Sequence, residues 1–177
     1  MIEPDFLSLI AQGADAWNQW RYHHPHCVPN LSNAYLFESV LDRFNLKDVN
    51  FERACLIGAS FQFANLQRAN LYSAYASSAV FKCANLTAAN LTDGVFSEAD
   101  FTQANLHEAI ALGSNFSEAV FHRARMLNWQ VDETTLLEDR KGAMQTMVPA
   151  RRFVTHLVSA PALTRSVTIF QAVPVAC

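Results

Sequence analysis

The stretches ANLQRANLYS, Ala64 to Ser73, and ANLTAANLTD, Ala84 to Asp93, are the same ten residues in outline, written twice at an interval of twenty. Within each, a large apolar residue stands every fifth position with an alanine two places before it. Outward from these lines the phase holds without a break. Sixteen such centres lie between Phe51 and Met126, and thirteen are Leu or Phe. The position two before the centre, from 54 to 124, holds thirteen alanines in fifteen slots; Gly94 and Ser114 are the exceptions, and both are small. The phase reaches back through Leu46, Leu41, Leu36 and Leu31 and runs forward weakly to Val131 and Leu136. A sustained five matches neither the 3.6 period of a helix nor the period of two of a flat strand. It matches a short extended segment followed by a tight corner, with one large and one small side chain inward and three outward. A larger side chain at the corner would overfill it.

A second period sets the length of a coil. Phe61, Phe81, Phe101 and Phe121 are twenty apart, as are Leu46, Leu66, Leu86 and Leu106. So are Asn30, Asn50, Asn70 and Asn90, and Asn45, Asn65, Asn85 and Asn105. Four segments of five make one coil of twenty residues, in which like side chains stack on like. The asparagines have two readings: amides passing hydrogen bonds from coil to coil, or residues suited to turn-like positions. Both remain open at this stage.

The motif Ala-Asn/Asp-Leu/Phe at 64–66, 69–71, 84–86, 89–91, 99–101 and 104–106 resembles the pentapeptide-repeat family. The resemblance covers about residues 30–136. It implies an all-β fold, a right-handed quadrilateral parallel β-helix of about five coils. Ahead of it, Phe6, Ile10, Gly13, Trp17 and Trp20 recur at helical spacing, and Glu3, Pro4 and Asp5 suit a helix start. The stretch Ala16-Trp17-Asn18-Gln19-Trp20-Arg21 is similar to leaders found ahead of repeats in bacterial members. Residues 1–29 are therefore expected to form an α-helical cap and linker over one open end of the solenoid. In residues 137–177 the five-residue phase is lost, and Pro149, Pro161 and Pro174 break any long helix. A loosely structured tail or partial cap is expected there.

Composition narrows the function. The 177 residues carry a formal net charge of −3, and no stretch of eighteen apolar residues occurs. The start of the chain lacks a basic region, so neither a secretory signal nor a membrane association is expected. Four scattered cysteines make no disulfide framework and point to a reducing cytoplasm. His23, His24, His26 and Cys27 are too close in sequence to close on one metal ion, so neither metal nor cofactor is expected. None of the nucleophile-elbow, phosphate-loop or dinucleotide motifs is present, and a regular rod offers no dry concave pocket. The chain is expected not to be an enzyme.

Function is expected on the surface. Tyr35, Phe37, Ile57 and Tyr75, with Phe63 on the next face, form an aromatic-rich outward band on the first coils. They are candidate partner-binding residues, unless the leader or the tail folds over them. The expected function is a protein–protein interaction scaffold with an as yet unknown protein partner. The alternative is a DNA mimic that protects gyrase, as in some members of the family, where molecules pair as homodimers through an end of the solenoid. Mimicry needs a dense negative field. The repeats hold eleven acidic and seven basic groups, which argues against it, and the five scattered basic residues of the tail make nucleic-acid binding a weaker reading still.

Overall fold

The computed structural model describes residues 5–137, and the tail expected beyond them lies outside that range, as do Glu3 and Pro4. The chain climbs by twenty residues per coil. Parallel bridges join Asn30 to Asn50, Asn50 to Asn70 and Asn70 to Asn90 in one column. Three further columns start from Tyr35, Val40 and Asn45. Each bridge is one residue long, because each segment turns again after it. Every turn is closed in the same way, as by the Ala54 N–H on the Phe51 carbonyl at 3.0 Å. The residue two after each centre has positive φ at all twenty corners from Asn33 to Asn128, and only Gly58 and Gly113 of these are glycine. Left-handed backbone costs a non-glycine residue on the order of 1 kcal/mol. The inter-coil hydrogen bonds on either side of each corner hold it in place.

The interior is the predicted stack. Phe61, Phe81, Phe101 and Phe121 form one vertical pile, with successive ring centroids 4.9, 4.8 and 5.2 Å apart and nearly parallel planes. Phe96 and Phe116 stack at 5.1 Å in the neighbouring column. The corner alanines from Ala54 to Ala109 are buried. Both readings of the asparagines hold at the same atoms. Asn70 Nδ2 donates to Asn50 Oδ1 at 2.9 Å, while Asn50 Oδ1 also accepts the Glu52 N–H at 3.1 Å.

Gly94 has a specific cause. A Cβ built there would lie 2.4 Å from Phe96 Cε2, because the ring fills the corner that an alanine methyl fills elsewhere. Gly94→Ala, although it restores the repeat pattern, is therefore expected to destabilise the fold by about 2 kcal/mol through overpacking. The double variant Gly94→Ala/Phe96→Leu should recover most of that loss in urea unfolding. An unchanged midpoint for the single variant would show that the corner yields freely.

The leader forms two helices rather than one: α1, Phe6–Ala11, and α2, Ala14–His23, joined at Gly13 with φ 94°. Asp5 caps α1 by accepting the Leu7 N–H. The leader closes the first coil by imitating a coil. In the fourth column the usual bonds run from Leu66 N–H to the Asn85 carbonyl, from Arg68 N–H to the Thr87 carbonyl, and from Asn85 N–H to the Ala64 carbonyl. At the first coil, side chains replace all three of these partners. Trp17 Nε1–H donates to the Asn45 carbonyl at 2.8 Å, and Arg21 Nη2 donates to the Lys47 carbonyl at 2.7 Å. Asn18 Oδ1 accepts the Asn45 N–H at 2.7 Å. Trp17 is fully buried, edge-on to Phe6 and 6.1 Å from the ring of Phe44. Arg21 is buried with carbonyl partners, and its loss of hydration pushes its pKa down.

At the other end the register shifts. Asn115 bridges Leu136, twenty-one residues on, where every other bridge spans twenty. The sequence reading placed Leu136 inward, and the structure corrects this. Leu136 stands in the outer column, 48% exposed, while Leu137 packs against the core. One extra residue, held by Asp132, makes the difference. Asp132 Oδ1 accepts hydrogen bonds from the Gly113 N–H and from the hydroxyls of Thr134 and Thr135. These bonds, the Thr134 hydroxyl foremost, lower its pKa to about 2. A depressed carboxyl stabilises the fold above its unfolded pKa near 4, and that contribution is lost as pH falls through 2. Acid titration of stability should therefore be less steep between pH 4 and pH 2 in Asp132→Asn than in the parent chain. Parallel profiles would remove Asp132 from the account.

Candidate interaction surface

The five candidate residues lie where their repeat phase puts them, but they are not equally available. Tyr35 and Phe37 flank Leu36 on the first coil, 61% and 42% exposed, with rings 6.1 Å apart and nearly parallel. Phe63 occupies a corner at φ 59°, is 58% exposed, and has the Arg43 guanidinium 5.9 Å over its ring. Ile57 and Tyr75 are only half-buried members of the later coils. The expected band through three coils is therefore concentrated at the first coil and the Phe63 corner. The reason is packing: Tyr75 is bridged on both sides, by Cys55 and Val95, whereas among the described residues Tyr35 is bridged on one side only, by Cys55.

Sequence reasoning missed Val40, the most exposed of this group at 70%. Its signal was present. Val40 fills the slot before the centre, which asparagine holds at Asn30, Asn45 and Asn50. The leader does not fold over the patch. Its hydrogen bonds go to Arg43, Asn45 and Lys47, on the fourth column and the corner leading to it. Covering by the tail falls outside the described residues.

The surface around the patch carries mixed charge. Arg68 makes a two-pronged pair with Asp48, at 2.7 and 2.8 Å, and Lys82 pairs with Asp100 at 3.0 Å. Further along the second column the outward residues turn polar, and Ser77 Oγ meets Ser97 Oγ at 2.9 Å. In the histidine-rich stretch, the His24 ring stacks on Trp20 at 4.8 Å and its Nδ1 lies 2.9 Å from the Trp20 carbonyl, so it serves the end of α2. Among the described residues, no group of His, Cys, Asp and Glu side chains is placed to hold a metal ion. Among them also, no helix is long and apolar enough to cross a membrane.

The family model for pentapeptide repeats matches eight copies, over residues 30–62, 54–93 and 99–136. The chain belongs to the pentapeptide-repeat family. Among solved members, HetL, a pentapeptide repeat protein involved in heterocyst differentiation regulation from the cyanobacterium Nostoc sp. strain PCC 7120, superposes with a TM-score of 0.56 at 24% identity. The match covers 65% of this chain and 53% of HetL, so the chain spans about half the length of that relative. At this identity the likeness is one of fold. Rfr23 from the cyanobacterium Cyanothece 51142 aligns at 21% identity and a TM-score of 0.39, over 67% of this chain and 96% of its own. QnrB1, a plasmid-mediated fluoroquinolone resistance protein, aligns at 18% and 0.34, over 64% and 76%. Comparison with curated proteins gives no match.

Proposed function

We propose that this pentapeptide-repeat protein is a non-enzymatic scaffold that holds another protein against the aromatic edge of its first coils. The reading takes the winding to be the right-handed, quadrilateral one of its family, which turns each column into a long flat face. The observation that carries it is the exposure of Tyr35 and Phe37, stacked on each other, although the leader docks on the same coil. Val40 and Phe63 enlarge the patch. Exposed aromatic side chains grouped in this way are what protein interfaces use as anchors. The three described cysteines, Cys27, Cys55 and Cys83, are unpaired, which suits a reducing cytoplasm. DNA mimicry needs a dense negative field, and the pairing of Asp48 with Arg68 and of Asp100 with Lys82 weakens it.

The test is Tyr35→Lys/Phe37→Lys/Phe63→Lys in the full chain, with circular dichroism and melting as controls of the fold. Quantitative capture from the native host should lose, by tenfold or more, a protein that the parent chain retains. A folded variant that captures the same proteins refutes the assignment. So does a variant that unfolds, since the patch would then be structural.

A further inference from the structure

The corner between the third and fourth columns opens, over the later coils, into a recess lined by Cys83, Asn85, Gln103, Asn105, Arg123 and Arg125. Its volume, about 510 Å³, exceeds what a single small anion needs. The lining holds two arginines and no carboxylate. Of the other cationic side chains on the repeats, Arg68 has Asp48, Lys82 has Asp100, and Arg43 has the ring of Phe63. The side chains of Arg123 and Arg125 have no hydrogen bond or ion pair among the described residues, and both are exposed.

Each amide oxygen of the recess already accepts a hydrogen bond from a neighbouring group. The Cys83 thiol donates to Gln103 Oε1 at 3.2 Å. Asn85 Oδ1 accepts the Thr87 hydroxyl at 2.7 Å, and Asn105 Oδ1 accepts the His107 N–H at 3.3 Å. The Asn105 amino group is turned to the Thr87 hydroxyl, 2.9 Å away. The unpaired donors facing the recess are two guanidinium groups and the amino groups of Asn85 and Gln103. A carboxylate-free concavity with two unpaired planar forks is complementary to a tetrahedral oxyanion, which accepts several charge-assisted hydrogen bonds at once.

We propose that this recess binds a phosphate-bearing small molecule through Arg123 and Arg125. The anion sits between the guanidinium forks within reach of Gln103, and the remaining volume takes the group that the phosphate is attached to. This site is separate from the aromatic edge and does not depend on the scaffold reading.

The experiment is a ¹H–¹⁵N NMR titration of the full chain with inorganic phosphate and, separately, with glucose 6-phosphate, at an ionic strength held constant with potassium chloride. Saturable shifts are expected at the amides of Gln103, Asn105, Arg123 and Arg125. Arg123→Ala and Arg125→Ala should each weaken the apparent Kd about tenfold, the loss of one charge-assisted pairing. Arg53→Ala, on a distant corner, should leave it unchanged. Tighter binding of glucose 6-phosphate than of inorganic phosphate supports the proposal, and equal binding overturns it in favour of the free ion. Shifts no larger than those in chloride alone, or affinities that survive both arginine substitutions, overturn the proposal.

Discussion

Truncating Phe81 to alanine is expected to destabilise the fold by about 4 kcal/mol, near the upper range for a large-to-small core change. Phe81 is fully buried and stacked on both faces, by Phe61 at 4.9 Å and Phe101 at 4.8 Å, with the edge of Phe96 at 6.2 Å. The substitution leaves a cavity the size of a ring, and the coils cannot collapse into it because hydrogen bonds on both sides fix their spacing. The parallel stacks add roughly 1 kcal/mol beyond buried area. For a chain of this size the melting point should fall by roughly 10 °C. The same truncation at Phe121 should cost about half as much, since that ring is only partly buried and has one stacking neighbour, Phe101 at 5.2 Å. Urea unfolding of the two variants decides. Equal losses would show that stability is not set by neighbour-to-neighbour stacking along the pile.

Trp17→Ala should have an effect of similar size, about 4 kcal/mol, but with a different distribution. The side chain is completely buried against Phe6 and Phe44, and its N–H is the donor that the Asn45 carbonyl would otherwise receive from a preceding coil. Its loss uncovers the apolar end of the first coil and orphans that carbonyl together. Trp17→Phe keeps most of the packing and removes only the donor, so about 1–2 kcal/mol is expected. Hydrogen exchange separates the effects. In Trp17→Ala the Asn45 amide, bonded to Asn18 Oδ1, should lose protection together with α2, while the Asn105 amide keeps its own. Retained protection at Asn45 would mean that the leader is not the cap.

The alternation of alanine and Leu or Phe at five-residue spacing was enough to place the inward side chains from Phe51 to Ala124; it put Cys55 outward, whereas the structure buries it. The twenty-residue recurrence was enough to pile Phe61 on Phe81 on Phe101. Such patterns are readable because each coil meets only its neighbours, so position in the chain translates directly into position in space. The leader was legible as a cap from its helical spacing and two tryptophans. That Trp17, Asn18 and Arg21 would supply the bonds of a missing coil was not, since this depends on where three side chains meet a backbone twenty-five or more residues away.

The candidate surface was half legible. Repeat phase marked Tyr35, Phe37 and Phe63 as outward, but it could not show that neighbouring coils half-bury Ile57 and Tyr75, or that Val40 stands free. Gly94 read only as small, until the ring of Phe96 was found in its corner. The six-residue step after Val131 put Leu137, not Leu136, inward, a choice made by Asp132 and its hydroxyl partners. Local spacing thus determined which face each side chain belongs to, because that is a property of the repeating backbone. Tertiary structure alone decided how much of each face water reaches and which corners close, because both depend on side chains brought together from different coils.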